Sequence, residues 1–211
     1  MRKLIIAAAL CSAISVQASA ATALFSLSAG GAAAGLGSGP FGTVSVTESW
    51  GSLIFSQTLA SGYRIHDGNA NHNAFSFSLV GDPAITISAL TSGFAVVTPA
   101  GVTAPPFGSF DYAIDCTTAC GPGYGGGFDG TLSFTVTANS GLLSLASLDF
   151  NTVSGANIYF TTDLVNGAGS TGNIGATAIA LPEPASWAMF IIGFGLVGSS
   201  IRRRKAAIRF A

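Results

Sequence analysis

A two-residue period, in which an apolar residue is followed by serine or threonine, recurs between residues 40 and 180 of the chain. In "GTLSFTVTANSG", Leu132, Phe134 and Val136 alternate with hydroxyl side chains. Successive side chains of a strand point to opposite faces, so this pattern predicts a half-buried strand with a polar outer face. The segments "GTVSVTES", "NAFSFSLVGD" and "DPAITISAL" repeat the pattern. The middle of the chain is therefore predicted to be all-β.

Turn residues separate these segments and predict an antiparallel arrangement. Further strands are expected at residues 53–59, 94–98, 142–150 and 158–164, with Gly, Pro and Asp between them. About eight short strands favour an antiparallel β-sandwich or jelly roll over residues 41–180. No helical period is sustained before Pro184, which argues against a Rossmann-like fold. Residues 21–40 contain the run "AGGAAAGLGSGP" and are expected to form a flexible lead-in.

The first twenty residues, "MRKLIIAAALCSAISVQASA", have the organisation of a secretory signal peptide. A basic start is followed by an apolar stretch and by Ala18 and Ala20 in the small-x-small pattern of a cleavage site. Cleavage after Ala20 is predicted, because the apolar stretch is too short for a comfortable membrane anchor. A lipoprotein signal is rejected because Leu10, and not a small residue, precedes Cys11.

Charge is concentrated at the two ends of the chain. Seven of the eight Lys and Arg residues lie within the first three or last ten residues, and Arg64 stands alone between them. Eight of the nine acidic residues lie between residues 21 and 180, so this part carries seven more negative than positive charges. A nucleic acid requires clustered cations, and nucleic-acid binding is therefore excluded.

Cys116 and Cys120 remain after signal cleavage, in "DCTTACGPG". Two cysteines in an exported chain favour a disulfide. A metal-binding pair is the alternative, but C-x3-C lacks the further ligands of a zinc site.

The chain ends with an apolar segment between a proline motif and a basic cluster. Pro182-Glu183-Pro184 predicts an exposed, stiff kink, and residues 184–201 could form a transmembrane helix of roughly 27 Å at 1.5 Å per residue. The four cations at 202–205 predict a cytoplasmic end by the positive-inside rule, which places the β domain outside the inner membrane. These four cations are Arg202, Arg203, Arg204 and Lys205.

This tail, residues 181–211, resembles the PEP-CTERM sorting signal of Gram-negative bacteria, in the variant with Pro-Glu-Pro-x-x-Trp-Ala. The matching residues are Pro182, Glu183, Pro184, Trp187 and Ala188, followed by the Gly-Phe-Gly run at 193–195 and the basic cluster. The resemblance implies recognition by an exosortase, a multi-pass membrane transpeptidase, with cleavage near the Pro-Glu-Pro. It also implies an inner-membrane precursor on the periplasmic side, then a place at the cell surface or outside, with exopolysaccharide as a candidate partner.

Candidate chemistry in the middle of the chain is sparse, and neither a cofactor nor a metal is predicted. His66 and His72, with Asp67 between them, could hold a metal or serve as a base, but turn residues explain them equally. Asp111, Asp115 and Asp129 lie near glycines and could line a calcium loop, although turn chemistry alone accounts for them.

The sequence favours a non-enzymatic surface or extracellular-matrix protein. The first alternative is a carbohydrate-binding module that stacks sugars on aromatic residues, and the second is a surface hydrolase. The hydrolase requires a convergent acid and base, yet the chain contains no G-x-S-x-G motif. The aromatic candidates are Trp50, Tyr63, Tyr112 and Tyr124.

Overall fold

The structure is a computed structural model and describes residues 20–66, 72–98, 101–179, 193–195 and 198. Between residues 20 and 179, the described residues form strands, one short helix α1 (Gly123–Gly126) and a 3-10 turn (Leu145–Ser147). Residues 193–195 and residue 198 are helical. The strands are β1 (Thr22–Ala29), β2 (Gly42–Ser49), β3 (Ser52–Leu59), β4 (Tyr63–Ile65), β5 (Phe75–Leu79), β6 (Ile85–Ser88), β7 (Phe94–Val96), β8 (Val102–Thr103), β9 (Ser109–Phe110), β10 (Tyr112–Cys116), β11 (Leu132–Ala138), β12 (Leu148–Asp149), β13 (Asn151–Val153), β14 (Ala156–Ile158), β15 (Phe160–Asn166) and β16 (Thr171–Ala178).

One large antiparallel sheet organises the domain, and the all-β prediction is confirmed. Its strands follow the order β6-β11-β3-β2-β1-β16-β15-β5-β10-β7, with β4 beside β15 and β12 beside β5. The sheet is nearly closed, because the hydroxyl group of Tyr112 in β10 donates a hydrogen bond to the carbonyl oxygen of Pro83, just before β6. A sandwich has two large facing sheets, whereas twelve of the described strands here belong to one hydrogen-bonded sheet; β8 with β9 and β13 with β14 form two small separate sheets.

The alternating apolar residues of the sequence fill the interior of this sheet. Leu132, Phe134 and Val136 of β11 are all buried, as the two-residue period predicts. Phe55 of β3 stacks on Phe134, with 4.8 Å between the ring centroids. Phe55 also meets rings on β5 and β15, so the two halves of the sheet face each other across one aromatic core.

The segment expected to be a flexible lead-in, residues 21–40, contains the first strand instead. β1 pairs with β2 on one side and with β16 on the other, so it lies inside the sheet. Phe25 and Leu27 supply the reason, because they alternate along β1 and both side chains are buried. The following loop packs on the sheet as well: a β-carbon at Gly31 would lie 2.0 Å from the Phe41 ring. The sequence-based interpretation of this segment is wrong for β1.

Residues 142–150 also differ from their expected strand. The chain forms the 3-10 turn at Leu145–Ser147 and then the two-residue strand β12. Side chains stabilise this turn: Ser147 Oγ accepts a hydrogen bond from the Ser144 N–H at 3.1 Å, and Glu48 Oε1 accepts one from the Leu145 N–H at 2.7 Å. Local capping therefore outcompetes the strand pattern here.

The predicted signal peptide, residues 1–20, lies outside the described residues except for Ala20. The predicted transmembrane helix at 184–201 is described at four positions. Within the described ranges, no helix has the length and apolar character needed to cross a membrane.

Candidate functional site

The two histidines converge on one buried carboxylate. His66 follows β4 and His72 precedes β5, while Asp163 lies in the middle of β15. The Nδ1 atom of His66 lies 3.2 Å from Asp163 Oδ2, and the Nδ1 atom of His72 lies 3.0 Å from Asp163 Oδ1. The carboxylate therefore holds both ends of the segment between β4 and β5, one through each oxygen.

The backbone fixes this arrangement from both sides. The N–H of His66 donates to the carbonyl oxygen of Asp163 at 3.1 Å, and the N–H of Asp163 donates to the carbonyl oxygen of Asn73 at 3.0 Å. Asp163 also faces Asn173 across the β15–β16 pair. The cluster is thus held by hydrogen bonds of both backbone and side chains.

Burial determines the electrostatics of the cluster. The Asp163 side chain is 1% exposed. Loss of hydration raises the pKa of Asp163 above its ordinary value, although the hydrogen bonds and charges of His72 and His66 act in the opposite direction. When Asp163 is ionised it can only accept hydrogen bonds, so each imidazole must carry its proton on Nδ1.

This cluster includes an acid that the sequence reasoning did not select. The sequence grouped the histidines with Asp67, which lies outside the described residues, whereas Asp163 is more than 90 residues away in the chain. Within the described ranges, no group of three His, Cys, Asp or Glu residues has the arrangement of a metal site. No hydrogen bond recorded for the described part of the chain links either imidazole to a serine.

The three acids proposed for a calcium loop have separate partners. Asp129 forms an ion pair with Arg64 at 2.9 Å. Asp115 Oδ1 accepts the N–H of Cys116 at 2.8 Å and that of Ala74 at 3.3 Å. Asp111 follows β9 and its N–H donates to Ser78 Oγ. These contacts are those of turn and strand-end residues.

Cys116 and Cys120 are joined in a disulfide, with 5.6 Å between their Cα atoms. The bridge closes the turn after β10. The backbone N–H groups of residues 117–119 within this turn all point to the carbonyl oxygen of Gly93. The bridge therefore shapes one tight turn against the end of β7.

Three of the four candidate sugar-stacking aromatics are engaged within the domain. Tyr112 is buried in the core, and the Tyr63 hydroxyl group donates to the carbonyl oxygen of Leu36 at 3.1 Å. The Arg64 guanidinium lies 4.7 Å from the Tyr124 ring centroid. Trp50 is different: it lies in the β2–β3 turn with a positive φ of 50° and is fully exposed.

The fold and its tail together define a class of protein: a β domain joined to a C-terminal sorting segment. Residues 180–205 match the family model of the PEP-CTERM protein-sorting motif. The resemblance stated from the sequence is confirmed, and the chain carries this motif. The motif implies an exported protein that is processed at a membrane by an exosortase.

The matched span contains both the Pro-Glu-Pro region and the basic cluster, but apart from residues 193–195 and 198 it lies outside the described residues. No curated protein and no solved structure matches the chain.

Proposed function

We propose that the protein is a non-enzymatic surface or extracellular-matrix protein, associated with exopolysaccharide, whose tail is read and removed by an exosortase. The observation that carries the proposal is the match of residues 180–205 to the PEP-CTERM sorting motif. In the precursor, the segment 184–201 spans the inner membrane, with the basic cluster in the cytoplasm and the β domain in the periplasm. After processing, the β domain reaches the surface or the extracellular space.

The outer face of the sheet supports contact with an uncharged, hydroxyl-rich partner. Cross-strand hydroxyl pairs lie on this face: Thr22 and Thr47 are 2.9 Å apart, and Ser52 and Thr137 are 2.8 Å apart. Between residues 20 and 179, Arg64 is the single Lys or Arg of the sequence, and Asp129 neutralises it. A polysaccharide offers hydroxyl groups that can replace water on such a surface.

Intact mass of the released protein tests the sorting step. We expect the protein recovered outside exosortase-positive cells to lack residues 1–20 and the chain beyond the Pro-Glu-Pro region. Changing Pro182, Glu183 and Pro184 together to Ala should leave export unchanged and retain the precursor in the membrane. Thr177→Ala, upstream of the matched span, is the control and should be processed normally. Released protein that still ends in Phe210-Ala211 would contradict the proposal.

Carbohydrate binding without an extracellular-matrix role is the second candidate, and it rests on Trp50. A fully exposed indole can stack on a sugar ring, whereas the other candidate aromatics are engaged within the domain. Binding to the producer's own polysaccharide should fall at least tenfold for Trp50→Ala and remain unchanged for Ile54→Ala. Equal binding by both variants would remove this candidate.

A further inference from the structure

Both ends of the β domain leave it at the same place. β1 and β16 are neighbouring antiparallel strands, so the start of the first lies beside the end of the last. The Ile179 N–H donates to the carbonyl oxygen of Leu24 at 2.8 Å, and the Glu48 N–H donates to that of Ala21 at 2.9 Å. We call this part of the domain the tail-bearing end. The domain begins at Ala21 at this end, and the chain continues from Ile179 into the sorting segment at the same end.

Exposed apolar side chains gather at this end. Ala20 and Ala21 line one surface depression together with Trp50 and Leu142. The Leu143 N–H donates to the carbonyl oxygen of Gly51, which holds Leu142 next to the β2–β3 turn. Trp50 is fully exposed and Leu142 is 82% exposed. Large apolar side chains with this exposure are costly in water when they are grouped.

Two further exposed apolar residues lie at the same end. Ile179 directly precedes the sorting segment and is 39% exposed. Phe160 of β15 pairs with Phe77 of β5 on one side and with Ala176 of β16 on the other. Both neighbours are antiparallel to β15, so β5 and β16 run in the same direction. Val80, just beyond the end of β5, is therefore level with the end of β16. Val80 is 61% exposed. Neighbouring strands lie about 4.8 Å apart and β15 lies between β5 and β16, so Val80 and Ile179 are roughly 10 Å apart at this end of the sheet.

The opposite end carries the single Lys or Arg found between residues 20 and 179. β4 pairs with the last residues of β15, with Tyr63 facing Asn166, and therefore lies far from the tail-bearing end. Arg64 and its partner Asp129 are found there. The exposed apolar side chains thus lie at the end from which the sorting segment leaves, whereas the Arg64–Asp129 ion pair lies at the other end.

The chain length between the domain and the membrane is short. Four residues lie between Ile179 and Pro184, so an extended chain spans at most about 17 Å over these five Cα–Cα steps. If residues 184–201 span the membrane, as the proposed function holds, the tail-bearing end stays within about 17 Å of the hydrocarbon core and so within about 10 Å of the outer edge of the headgroups. Tryptophan prefers this interface, where the ring is buried and the indole N–H remains hydrated.

We propose that the tail-bearing end docks on the bilayer surface in the precursor, with Trp50 and Leu142 inserted among the lipid headgroups. This inference rests on the proposed function. Docking holds the Pro-Glu-Pro region at a fixed height above the membrane, where a membrane-embedded transpeptidase acts. Removal of the tail releases the domain from this surface.

The charges at the tail-bearing end determine whether anionic lipids affect docking. Between residues 20 and 179, the tail-bearing end contributes no Lys or Arg, since Arg64 lies at the opposite end. The α-ammonium group that signal cleavage creates at Ala21 lies beside Glu48, whose N–H binds the Ala21 carbonyl oxygen. Glu48 lines the same depression as Trp50, and the exposed Asp82 lies two residues beyond Val80. Docking therefore rests on apolar contact at an end that carries carboxylates, and neither anionic lipid nor low salt should strengthen it.

The experiment uses the chain from Ala21 to Ala211, reconstituted as single copies in nanodiscs of phosphatidylcholine brominated near the top of the acyl chains. The chain has two tryptophans, Trp50 and Trp187, so each can be observed alone. The variant Trp187→Phe reports on Trp50 and thus on docking. The variant Trp50→Phe reports on Trp187 and thus on insertion of the tail.

We expect the bromolipid to reduce the fluorescence of both single-tryptophan variants at least twofold relative to unbrominated discs. Adding Leu142→Ser should reverse most of the Trp50 quenching, whereas Ile54→Ser, an exposed change on the outer sheet face, should not. Quenched Trp187 with unquenched Trp50 would overturn the docking inference and leave the proposed function standing. Unquenched Trp187 would refute the anchored precursor itself.

A second copy of the chain could also cover this surface. Protection of Trp50 from aqueous acrylamide in densely loaded vesicles, but not in single-copy discs, would assign the surface to self-association and overturn docking on lipid. Protection of equal size in both preparations supports docking on lipid, because a single copy has no protein partner.

Discussion

Phe55 is the position at which the face assignment of the whole sheet can be tested. It is fully buried, and its ring meets Phe134 on the adjacent strand and Phe75, Phe77 and Phe160 across the core. The preceding residue, Ile54, points to the outer face and is 40% exposed. The two residues are neighbours in sequence and differ chiefly in the face they occupy.

The expected cost of Phe55→Ala follows from the deleted ring. Lost burial of the ring contributes about 2 kcal/mol. A vacated volume of roughly 100 Å³, at about 24 cal/mol per Å³, contributes a further 2.4 kcal/mol if the neighbours do not collapse. Those neighbours are aromatic rings on paired strands and have little freedom to move. We therefore expect a loss of about 4 kcal/mol, against less than about 1 kcal/mol for Ile54→Ala.

Urea unfolding of the mature domain, followed by far-ultraviolet circular dichroism, measures both losses. Trp50 fluorescence is unsuitable because that side chain is already exposed in the folded state. If Phe55→Ala does not fold, Phe55→Leu should fold and lose about 1 kcal/mol or slightly more. Equal losses for the Phe55 and Ile54 variants would refute the assignment of faces and with it the aromatic core.

Three further perturbations test particular contacts. Burial raises the pKa of Asp163, so the contribution of Asp163 to the free energy of unfolding is present at acid pH and declines as pH rises through that pKa. The variant Asp163→Asn should lack this decline. Urea midpoints of the unaltered protein and of the variant that run parallel from about pH 4 to pH 7 would contradict this prediction. Replacing Cys116 and Cys120 by Ser should cost at most about 2 kcal/mol of unfolding free energy, because the closed loop is short, and adding reductant to the unaltered protein should match that loss. Gly42→Ala should lower the free energy of unfolding by about 3 kcal/mol or more in the same assay, since the new β-carbon would lie 2.4 Å from a carbonyl oxygen of β3. Gly125→Ala is the control and should be tolerated, because a β-carbon at Gly125 would meet no atom within 4 Å.

The sequence predicts the strands that bury one face and expose the other. β11 matches its two-residue period because Leu132, Phe134 and Val136 face the core, and hydroxyl residues face outward. β16, with the sequence TGNIGATA, shows no such period, yet its residues from Gly172 to Ala176 are all buried. Its outer face is covered by Phe107 and Ile158, which a β-carbon at Gly175 would contact at 3.0 Å. Close packing on both faces of β16 requires small residues there. The sequence of β16 therefore shows no alternation of apolar and polar residues.

The candidate site was less accessible to sequence reasoning than the strands were. The proximity of His66 and His72 in sequence is visible, but their shared partner is set by the pairing of β4 and β5 with β15. Strand pairing brings Asp163 between them across more than 90 residues. A weak signal existed: Asp163 is the single charged residue in the otherwise neutral segment FTTDLVN, which is buried at six of its seven positions. A charged residue inside a buried strand requires partners, and histidines were the available ones.

The pairing of β1 with β16 also links folding to sorting. These strands lie about 150 residues apart, so the sheet cannot be completed until nearly the whole domain is available to fold. β16 ends at Ala178, directly before the sorting motif that begins at residue 180. The last strand therefore becomes available just before the sorting segment does. Pairing of β1 with β16 draws both chain ends to one side of the domain. In the proposed precursor, completion of the sheet would therefore directly precede presentation of the Pro-Glu-Pro region at the membrane.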